Sequence, residues 1–283
     1  MTELGNQQKV AGEILTRARH VRKRVLEAVY KAGKGHLGGA LSIVEILSAI
    51  YFSDLFSFGS ASAKAPTRDR LILSKGHAGV GLYAVLTEAG WIDEIELTRL
   101  NAGYLLAEHP SPNIPGVEFV SGSLGHGLSV GVGFALADKI DNSKTSTIIV
   151  LGDGECYEGS VWEAAQFAGH HKLSTLLAIV DRNGLITHGP TEEINEFGNL
   201  VNRWKSFGWN VLEIDGHNVP DLMKALREFK SEAHEGPLVL IAHTLKGKGV
   251  RSLEGTAGSH HGSISIEQMR DALEEMGFEI APK

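Results

Sequence analysis

The residues best suited to chemistry follow two apolar segments of the chain. Gly152-Asp153-Gly154 comes directly after the segment 146–151, and Asn183-Gly184-Leu185 follows the segment 176–181 after one intervening residue, Arg182. The 30 positions from Asp153 to Asn183 match a strand–helix–strand crossover, so both side chains can lie at neighbouring strand ends. A carboxylate beside an amide oxygen makes a hard oxygen pair, which suits Mg²⁺ or Ca²⁺.

The same pattern predicts that a phosphate group accompanies the metal ion. Mg²⁺ is seldom held by protein alone and usually completes its octahedron with phosphate oxygens and water. The glycines beside Asp153 let backbone N–H groups approach a phosphate, and a helix predicted to begin near Gly159 directs its positive end there. The alternative interpretation, a tight turn at 152–154 with Asn183 as an ordinary turn residue, requires no ligand.

Three of the 13 histidines lie in loops bounded by glycine or proline, where a side chain can face a ligand. His36 follows Gly35, His77 follows Gly76, and His109 precedes Pro110. An imidazole with a pKa near ~6.5 can exchange protons with a sugar hydroxyl at neutral pH. Seven other histidines are interpreted as surface or structural residues: His20, His170, His171, His188, His217, His234 and His243. The single cysteine, Cys156, is interpreted as a buried thiol and not as a nucleophile.

Short β-rich segments alternate with helical segments along the chain. The predicted strands are 70–74, 117–121, 146–151, 176–181, 210–214 and 238–244. The predicted helices are 7–31, 41–52, 80–90, 128–141, 161–170, 200–207 and 220–230. Several strands are apolar throughout, as in parallel sheets covered on both faces. We therefore expect an α/β fold with a doubly wound, mostly parallel sheet flanked by helices, and a single domain spanning 1–283. Ligands of such sheets bind beyond the carboxyl ends of the strands.

Composition narrows the class of protein. The 283 residues carry 27 basic and 34 acidic side chains, a net charge of −7, which gives no electrostatic reason to bind nucleic acid or an anionic membrane. One cysteine excludes a disulfide within the chain. The polar amino terminus and the lack of an apolar run of about 18 residues predict a cytoplasmic protein.

The segment 152–184, GDGECYEGSVWEAAQFAGHHKLSTLLAIVDRNG, resembles the thiamine diphosphate signature, which runs from GDG to a downstream Asn. Its WEA and FAGH portions resemble transketolase in particular. Similar motifs occur along residues 10–265: GHLGG at 35–39, LSKGHAGVGLYAVL at 73–86, the loop 116–137, FGWNVLEIDGHN at 207–218 and HTLKGKGV at 243–250. The resemblance implies the thiamine-diphosphate-binding fold, with thiamine diphosphate and Mg²⁺ as cofactors and Ca²⁺ or Mn²⁺ able to substitute.

The resemblance also implies the roles of individual residues. The metal ligands would be Asp153, Asn183 and the backbone carbonyl of Leu185. The cofactor would contact His77, Gly122, Leu124, Gly154, Glu155, Glu158, Asn183 and His261. His36, His77 and His109 would form a catalytic, substrate-facing cluster that His261 completes. Glu158 and Glu163 would lie at the interface with a partner domain.

Two departures from the family pattern affect these expectations. The family usually has G-S/T-H-x-x-H-G where this chain has Gly258-Ser259-His260-His261-Gly262, two residues shorter. We assign the role to His261 because it precedes the glycine, with His260 as the alternative. Leu37 stands in the first loop where full-length transketolases commonly have proline.

In the transketolase family, a second domain binds the cofactor's pyrimidine and supplies the activating glutamate. This sequence ends at Lys283, just after the diphosphate-binding module. We therefore expect the amino-terminal subunit of a split transketolase, active in a heterotetramer with a carboxy-terminal subunit. The enzyme would transfer a two-carbon ketol unit from a ketose phosphate to an aldose phosphate. Three alternatives remain open: a relative of 1-deoxyxylulose-5-phosphate synthase, a 2-oxo acid dehydrogenase alpha subunit, and a catalytically silent paralogue that binds a partner.

Overall fold

A parallel five-stranded sheet forms the centre of the protein. The structure is a computed structural model that describes residues 3–59, 68–196, 198–231 and 234–279. The sheet consists of β1 (Arg70–Leu73), β2 (Thr147–Gly152), β3 (Leu176–Arg182), β6 (Asn210–Asp215) and β7 (Leu238–His243). Its strand order is β1-β2-β3-β7-β6, and every pair is parallel. A separate antiparallel hairpin joins β4 (Leu185–Ile186) to β5 (Gly189–Pro190).

Helices cover both faces of this sheet, so the predicted doubly wound α/β fold is confirmed. The helices are α1 (Glu3–Ala32), α2 (Leu37–Leu41), α3 (Val44–Phe52), α4 (Gly79–Glu88), α5 (Glu94–Leu97), α6 (Gly127–Ile140), α7 (Gly159–His170), α8 (Thr191–Ile194), α9 (Leu200–Ser206), α10 (Val219–Lys230) and α11 (Ile266–Glu275). None of the helices in the described ranges is long and apolar enough to cross a membrane.

Alternating side chains of the central strands divide the apolar core into two layers. In β2, Ile148 and Val150 pack with α1, α3, α4 and α10, whereas Ile149 and Leu151 pack with α6, α7 and α9. All four side chains are fully buried. Because successive strand residues point to opposite faces, an apolar strand is what a sheet covered on both sides requires.

Two sequence predictions about the elements were wrong. Residues 117–121 form no strand, because the segment lies in a long irregular loop between α5 and α6 and its Ser121 N–H donates to the Pro110 carbonyl. Gly116 and Gly122, which bound this segment, have φ angles of +83° and +143° and bend the chain at both ends. The predicted helix 41–52 is divided into α2 and α3, which meet at Ser42 and Ile43.

Candidate functional site

A cavity of about 540 Å³ lies beyond the carboxyl ends of four adjacent strands. Lys75 follows β1, Asp153 follows β2, Asn183 follows β3 and Lys246 follows β7. The remaining lining residues come from α2, the end of β2, the connecting loops and the β4–β5 hairpin: His36, Gly39, His77, His109, Gly122, Leu124, Gly152, Gly154, Glu155, Tyr157, Glu158, Leu185, Ile186, Thr187, His188 and His260. This is the position at which doubly wound sheets bind ligands.

The structure brings Asp153 and Asn183 together, as the crossover spacing predicts. Residues 152 and 181 are register partners on β2 and β3, and the Asp153 N–H donates to the Asp181 carbonyl. The Asp153 carboxylate accepts hydrogen bonds from the Gly154 N–H at 2.8 Å and the Gly184 N–H at 2.6 Å. Burial raises the pKa of Asp153 to about 6, and the nearby Asp181 charge contributes to that rise. A bound cation would therefore stabilise the ionised form of this carboxylate.

The donor set around Asp153 fits a hard metal ion. The Asn183 amide donates through Nδ2 to Asp181 Oδ2 at 2.7 Å, which fixes Oδ1 as the outward acceptor. Oδ1 accepts the Leu185 N–H at 3.1 Å, and the Leu185 carbonyl accepts from Lys246 Nζ at 3.0 Å. Carboxylate, amide and backbone oxygens each retain a lone pair after one hydrogen bond. Three oxygens of these types at one cavity wall suit Mg²⁺ better than a transition metal.

Two buried lysines give the cavity a positive wall, and sequence reasoning missed both. Lys75 and Lys246 are each 1% exposed. Lys75 Nζ pairs with the buried Asp181 carboxylate and donates to the Gly39 carbonyl. Lys246 Nζ contacts the Leu185 carbonyl and His260 Nδ1 and has no carboxylate partner among the described residues. Burial lowers the pKa of Lys246 to about 8, with Lys75 contributing, and a buried ammonium of this kind is stabilised by an anion.

Helix α7 begins at the cavity, as predicted, with Glu158 as its amino-terminal cap residue. Gly154 lies shortly before it, and a Cβ at that position would collide with Ile186 Cγ2, so only glycine fits against the β4–β5 hairpin. The Gly154 N–H donates to Asp153 Oδ1 in this structure. A diphosphate would have to share or replace that hydrogen bond, so the predicted role of Gly154 stays a prediction.

Glu155 has a structural role in addition to the cofactor contact that the family resemblance implies. The carboxylate is buried and accepts from the Ser74 hydroxyl, from the Gly125 N–H at 2.9 Å and from the Gly152 N–H at 3.1 Å. These three donors occupy the carboxylate and connect the end of β2 to the loop before α6. Glu155 lines the cavity, but its hydrogen bonds hold the loop that carries Gly122 and Leu124.

Five histidines lie close together, and four of them line the cavity. The ring centroid of His36 lies 5.5 Å from that of His77, 6.1 Å from His109, 5.2 Å from His260 and 4.6 Å from His261. The structure therefore brings His36, His77 and His109 together, as the sequence predicts. Burial lowers the pKa of His36 and lowers that of His77 well below 6.5, so both rings are neutral at pH 7.

The preference for His261 over His260 is not supported by the geometry. His260 lines the cavity beside Lys246, and its ring stacks on His77 at 5.0 Å. His261 does not line the cavity; it hydrogen-bonds Glu108 Oε1 through Nε2 at 3.1 Å, and its side chain is 37% exposed. An antiparallel bridge between Gly35 and Gly262 turns the His261 side chain toward Glu108 and leaves His260 facing inward.

The structure also gives the positions of His188, His217 and Cys156, whose roles the sequence analysis interpreted. His188, interpreted as a surface or structural residue, lines the cavity rim from the β4–β5 hairpin. His217 is structural, as predicted: its Nδ1 contacts Glu45 and its Nε2 accepts the Leu245 N–H. Cys156 is a fully buried thiol, as predicted, and burial raises its pKa well above the ordinary value. The signal that could have identified Lys75 and Lys246 is their position beside a glycine, shortly after a predicted strand.

Residues 15–283 match the family described as the transketolase, thiamine diphosphate binding domain. The fold and the residues at its strand ends define a thiamine-diphosphate-binding domain, and the chain belongs to the transketolase family as part of an enzyme.

Two relatives of similar length are named as transketolase subunits. Over 260 residues the chain is 43% identical to an apulose-4-phosphate transketolase subunit from Phocaeicola vulgatus, with 92% of each protein covered. It is 40% identical over 263 residues to the 6-deoxy-6-sulfo-D-fructose transketolase subunit SqwG of a Clostridium species, covering 92% of this chain and 95% of that one. Human transketolase is 35% identical over 268 residues, which span 94% of this chain and 42% of the human protein.

Solved structures agree with this assignment. The transketolase of Campylobacter jejuni superposes with a TM-score of 0.85 at 31% identity, over 96% of this chain and 43% of that chain. The transketolase of Pichia stipitis in complex with sedoheptulose-7-phosphate superposes with a TM-score of 0.86 at 29% identity, over 94% of this chain and 41% of that chain.

Proposed function

We propose that this chain is the diphosphate-binding subunit of a two-chain transketolase, dependent on thiamine diphosphate and Mg²⁺. The enzyme would transfer a two-carbon ketol unit from a ketose phosphate to an aldose phosphate. The observation that carries the proposal is the composition of one cavity wall: the oxygens of Asp153, Asn183 and Leu185 adjoin the buried Lys246 ammonium. A metal ion and a diphosphate together match that arrangement of charge.

Seven of the residues that line the cavity have a definable task in this proposal. Asp153, Asn183 and the Leu185 carbonyl would hold Mg²⁺, and Lys246 with His260 would face the diphosphate. Leu124 and Gly122 would line the space for the cofactor rings. Thiamine diphosphate, when bound, supplies a nucleophilic carbon and an electron sink for cleaving a carbon–carbon bond beside a carbonyl.

The histidine cluster would move protons at the sugar hydroxyls. His36 and His77 are neutral because burial lowers the pKa of each, so each can accept a proton through a ring nitrogen. His109 packs against the Gly122 loop, whose φ of +143° brings that loop close to the imidazole. The cluster would thus offer three imidazoles at the cavity lining.

The proposal includes a separate partner chain. Two relatives that match this chain over more than nine-tenths of their length are named as transketolase subunits, whereas human transketolase is more than twice as long as the matched region. The partner would carry the pyrimidine-binding domain and its glutamate, and two copies of each chain would form a heterotetramer. Glu158 and Glu163 are exposed at the start of α7 beside the cavity, where we expect the partner to dock. A cytoplasmic location stays a prediction.

The proposed substrates are defined only as a class. Two of the relatives are named for apulose-4-phosphate and for 6-deoxy-6-sulfo-D-fructose, which differ from each other in the anionic group of the sugar. We infer that this chain also serves a reaction on an anionic ketose. The choice among such sugars would depend on the partner, whose residues would hold the sugar's anionic group.

Substituting Asp153→Ala in the complex with its partner tests the proposal. Removing this carboxylate takes away a metal ligand, and we expect the Mg²⁺-dependent affinity for thiamine diphosphate to fall about 100-fold or more. Isothermal titration calorimetry at fixed Mg²⁺ measures the affinity. Glu213→Ala, which removes an exposed carboxylate on β6, is the matched control and should bind the cofactor normally. Equal affinity in Asp153→Ala and the control would refute the metal assignment.

A further inference from the structure

A second group of metal-binding side chains lies beside the cavity and uses none of the proposed Mg²⁺ ligands. His36, Glu108 and His261 each offer one ligand atom, and the three atoms all lie within 4.8 Å of one another. Glu108 Oε1 is 2.9 Å from His36 Nδ1 and 3.1 Å from His261 Nε2. Within the described ranges, no other set of three histidine, cysteine or acidic side chains is grouped this closely.

The backbone holds two of these side chains next to each other. Gly35 and Gly262 form an isolated antiparallel bridge, with the Gly35 N–H donating at 2.9 Å and the Gly262 N–H donating at 3.0 Å. His36 and His261 are direct neighbours of the two bridged glycines, and their ring centroids are 4.6 Å apart. A paired backbone therefore fixes the separation of the two imidazoles before any ligand binds.

The contact between His36 and Glu108 is short but lacks the alignment of a good hydrogen bond. His36 Nδ1 is buried and has no hydrogen-bond partner in the described part of the chain, although Glu108 Oε1 is only 2.9 Å away. The nitrogen and the oxygen are thus close to each other but not aligned with each other. Ligands of one metal ion have that relation, because each is directed at the ion and not at its neighbour.

We propose that His36 Nδ1, Glu108 Oε1 and His261 Nε2 form a binding site for a divalent transition-metal ion of the zinc class. Zinc bonds of about 2.0–2.2 Å in a tetrahedron place neighbouring ligand atoms roughly 3.3–3.5 Å apart. The observed distances of 2.9 and 3.1 Å require the ligands to separate by only a few tenths of an ångström. Imidazole ligands favour zinc, iron, cobalt or nickel over Mg²⁺, whereas the oxygens at Asp153 favour Mg²⁺ over these transition metals.

Charge and access agree with this assignment. Burial lowers the pKa of His36, and this effect outweighs the opposite effect of Glu108, so the imidazole is neutral and free to ligate at pH 7. The side chains of Glu108 and His261 are 35% and 37% exposed, which leaves a path for the ion and a fourth position for water. Three protein ligands with one open position form the usual coordination of an accessible zinc site.

One consequence for turnover rests on the proposed function. His36 also lines the cavity, so an ion held by its Nδ1 would compete with a sugar phosphate for the same imidazole. We therefore expect zinc to inhibit the assembled enzyme reversibly, and a chelator to restore the rate.

Cobalt binding to the full-length chain, without partner or thiamine diphosphate, tests the site directly. Co²⁺ absorbs visible light strongly in four- or five-coordinate sites and weakly in its hydrated form, so titration reports both affinity and geometry. We expect one strongly absorbing Co²⁺ per chain, displaced by one equivalent of Zn²⁺. Glu108→Gln, which keeps the side-chain shape, and His261→Ala should each weaken binding about 10-fold or more.

Two control variants separate this site from other metal-binding groups. His171→Ala disrupts the neighbouring pair His170–His171 at the end of α7, and Asp153→Ala removes the proposed Mg²⁺ ligand. Both should retain the absorbing Co²⁺. A wild-type spectrum equal to that of hydrated Co²⁺, or an equal spectrum in wild type and Glu108→Gln, would overturn the proposal.

Thermal unfolding distinguishes a variant that has lost the metal site from a variant that has lost its fold. Zn²⁺ bound only to the native state raises the melting temperature, and Glu108→Gln should lose that increase while it melts normally without metal. An equal zinc-dependent increase in both proteins would also overturn the proposal. Because this assay contains no thiamine diphosphate, failure of the proposed function would leave its result unchanged.

Discussion

His77 differs from the other histidines of the cluster in how completely its surroundings exclude the charged imidazolium. Burial lowers the pKa of His77 well below 6.5, and the charges of Lys75 and of the neighbouring histidines lower it further. The ring is therefore neutral throughout the physiological pH range. A neutral imidazole that lines the cavity can accept a proton without first losing one.

Replacing His77 with alanine should reduce kcat of the assembled enzyme about 100-fold or more, because a positioned general base contributes about that factor. Steady-state rates of two-carbon transfer measure the effect. The matched control is His20→Ala, which removes an exposed histidine on α1. A near wild-type rate in His77→Ala would exclude a role in proton transfer.

The sequence predicts which residues come together at the cavity better than it predicts how their side chains are oriented. The crossover spacing correctly brings Asp153 beside Asn183, and the loop motifs correctly bring His36, His77 and His109 together. The choice between His260 and His261 depends on the bridge between Gly35 and Gly262, residues more than two hundred positions apart. Long-range backbone pairing of that kind leaves no trace in local sequence, so the structure is needed to orient these side chains.

At the scale of secondary structure, the strands show which features of the fold can be predicted from local sequence. The strands of the central sheet could be predicted because most of them are continuous apolar runs covered by helices on both faces. The segment 117–121 also contains β-prone residues, but no strand pairs with it in the described sheet. Pairing is decided by topology and not by propensity, which explains why this prediction failed.

A buried ion network connects three elements on the α1 side of the sheet. Arg22 on α1 pairs with Glu45 on α3 at 2.8 Å, and His217, between β6 and α10, contacts Glu45 at 2.9 Å. Arg22 also donates to the Lys248 carbonyl, close to the segment that carries Lys246. We expect this network to hold the Lys246 loop in place against α1.

Substituting Glu45→Gln should lower the free energy of unfolding by about 3 kcal/mol or more at pH 7, because the Arg22 charge would remain buried without its partner. Urea unfolding measures the loss. The exposed pair Lys9–Glu13 provides the control, since Glu13→Gln should change stability by less than about 0.5 kcal/mol.

The loss of unfolding free energy in Glu45→Gln should decrease as the pH falls. Burial alone raises the pKa of Glu45, but Arg22 and His217 outweigh burial, so the pKa lies below its ordinary value of 4.5. A carboxylate with a lowered folded-state pKa stabilises the protein above its unfolded pKa, and this contribution is lost as pH falls through the folded value. The difference between wild type and Glu45→Gln should therefore be full at pH 7 and shrink below about pH 4.5. A difference independent of pH would contradict the account of the network.

At the scale of the whole molecule, the cavity contains part of the site that the proposed function requires, and we expect a partner chain to supply the rest. The residues proposed to hold the diphosphate and the metal ion, and four of the clustered histidines, line the cavity of this chain, whereas the glutamate that activates the pyrimidine is expected from a partner. The exposed glutamates at the start of α7 and the apolar ring of Phe167, which is 42% exposed, lie on one helix beside the cavity. We infer that this face of α7 is covered in the assembled enzyme.

Native mass spectrometry of the tagged chain, purified from its own cells with Mg²⁺ and thiamine diphosphate, tests the central claim most directly. We expect a complex of two copies of this chain with two copies of a second chain, carrying thiamine diphosphate and metal. Recovery of this chain only, as a homodimer without cofactor, would contradict the split-transketolase account and would favour a catalytically silent relative.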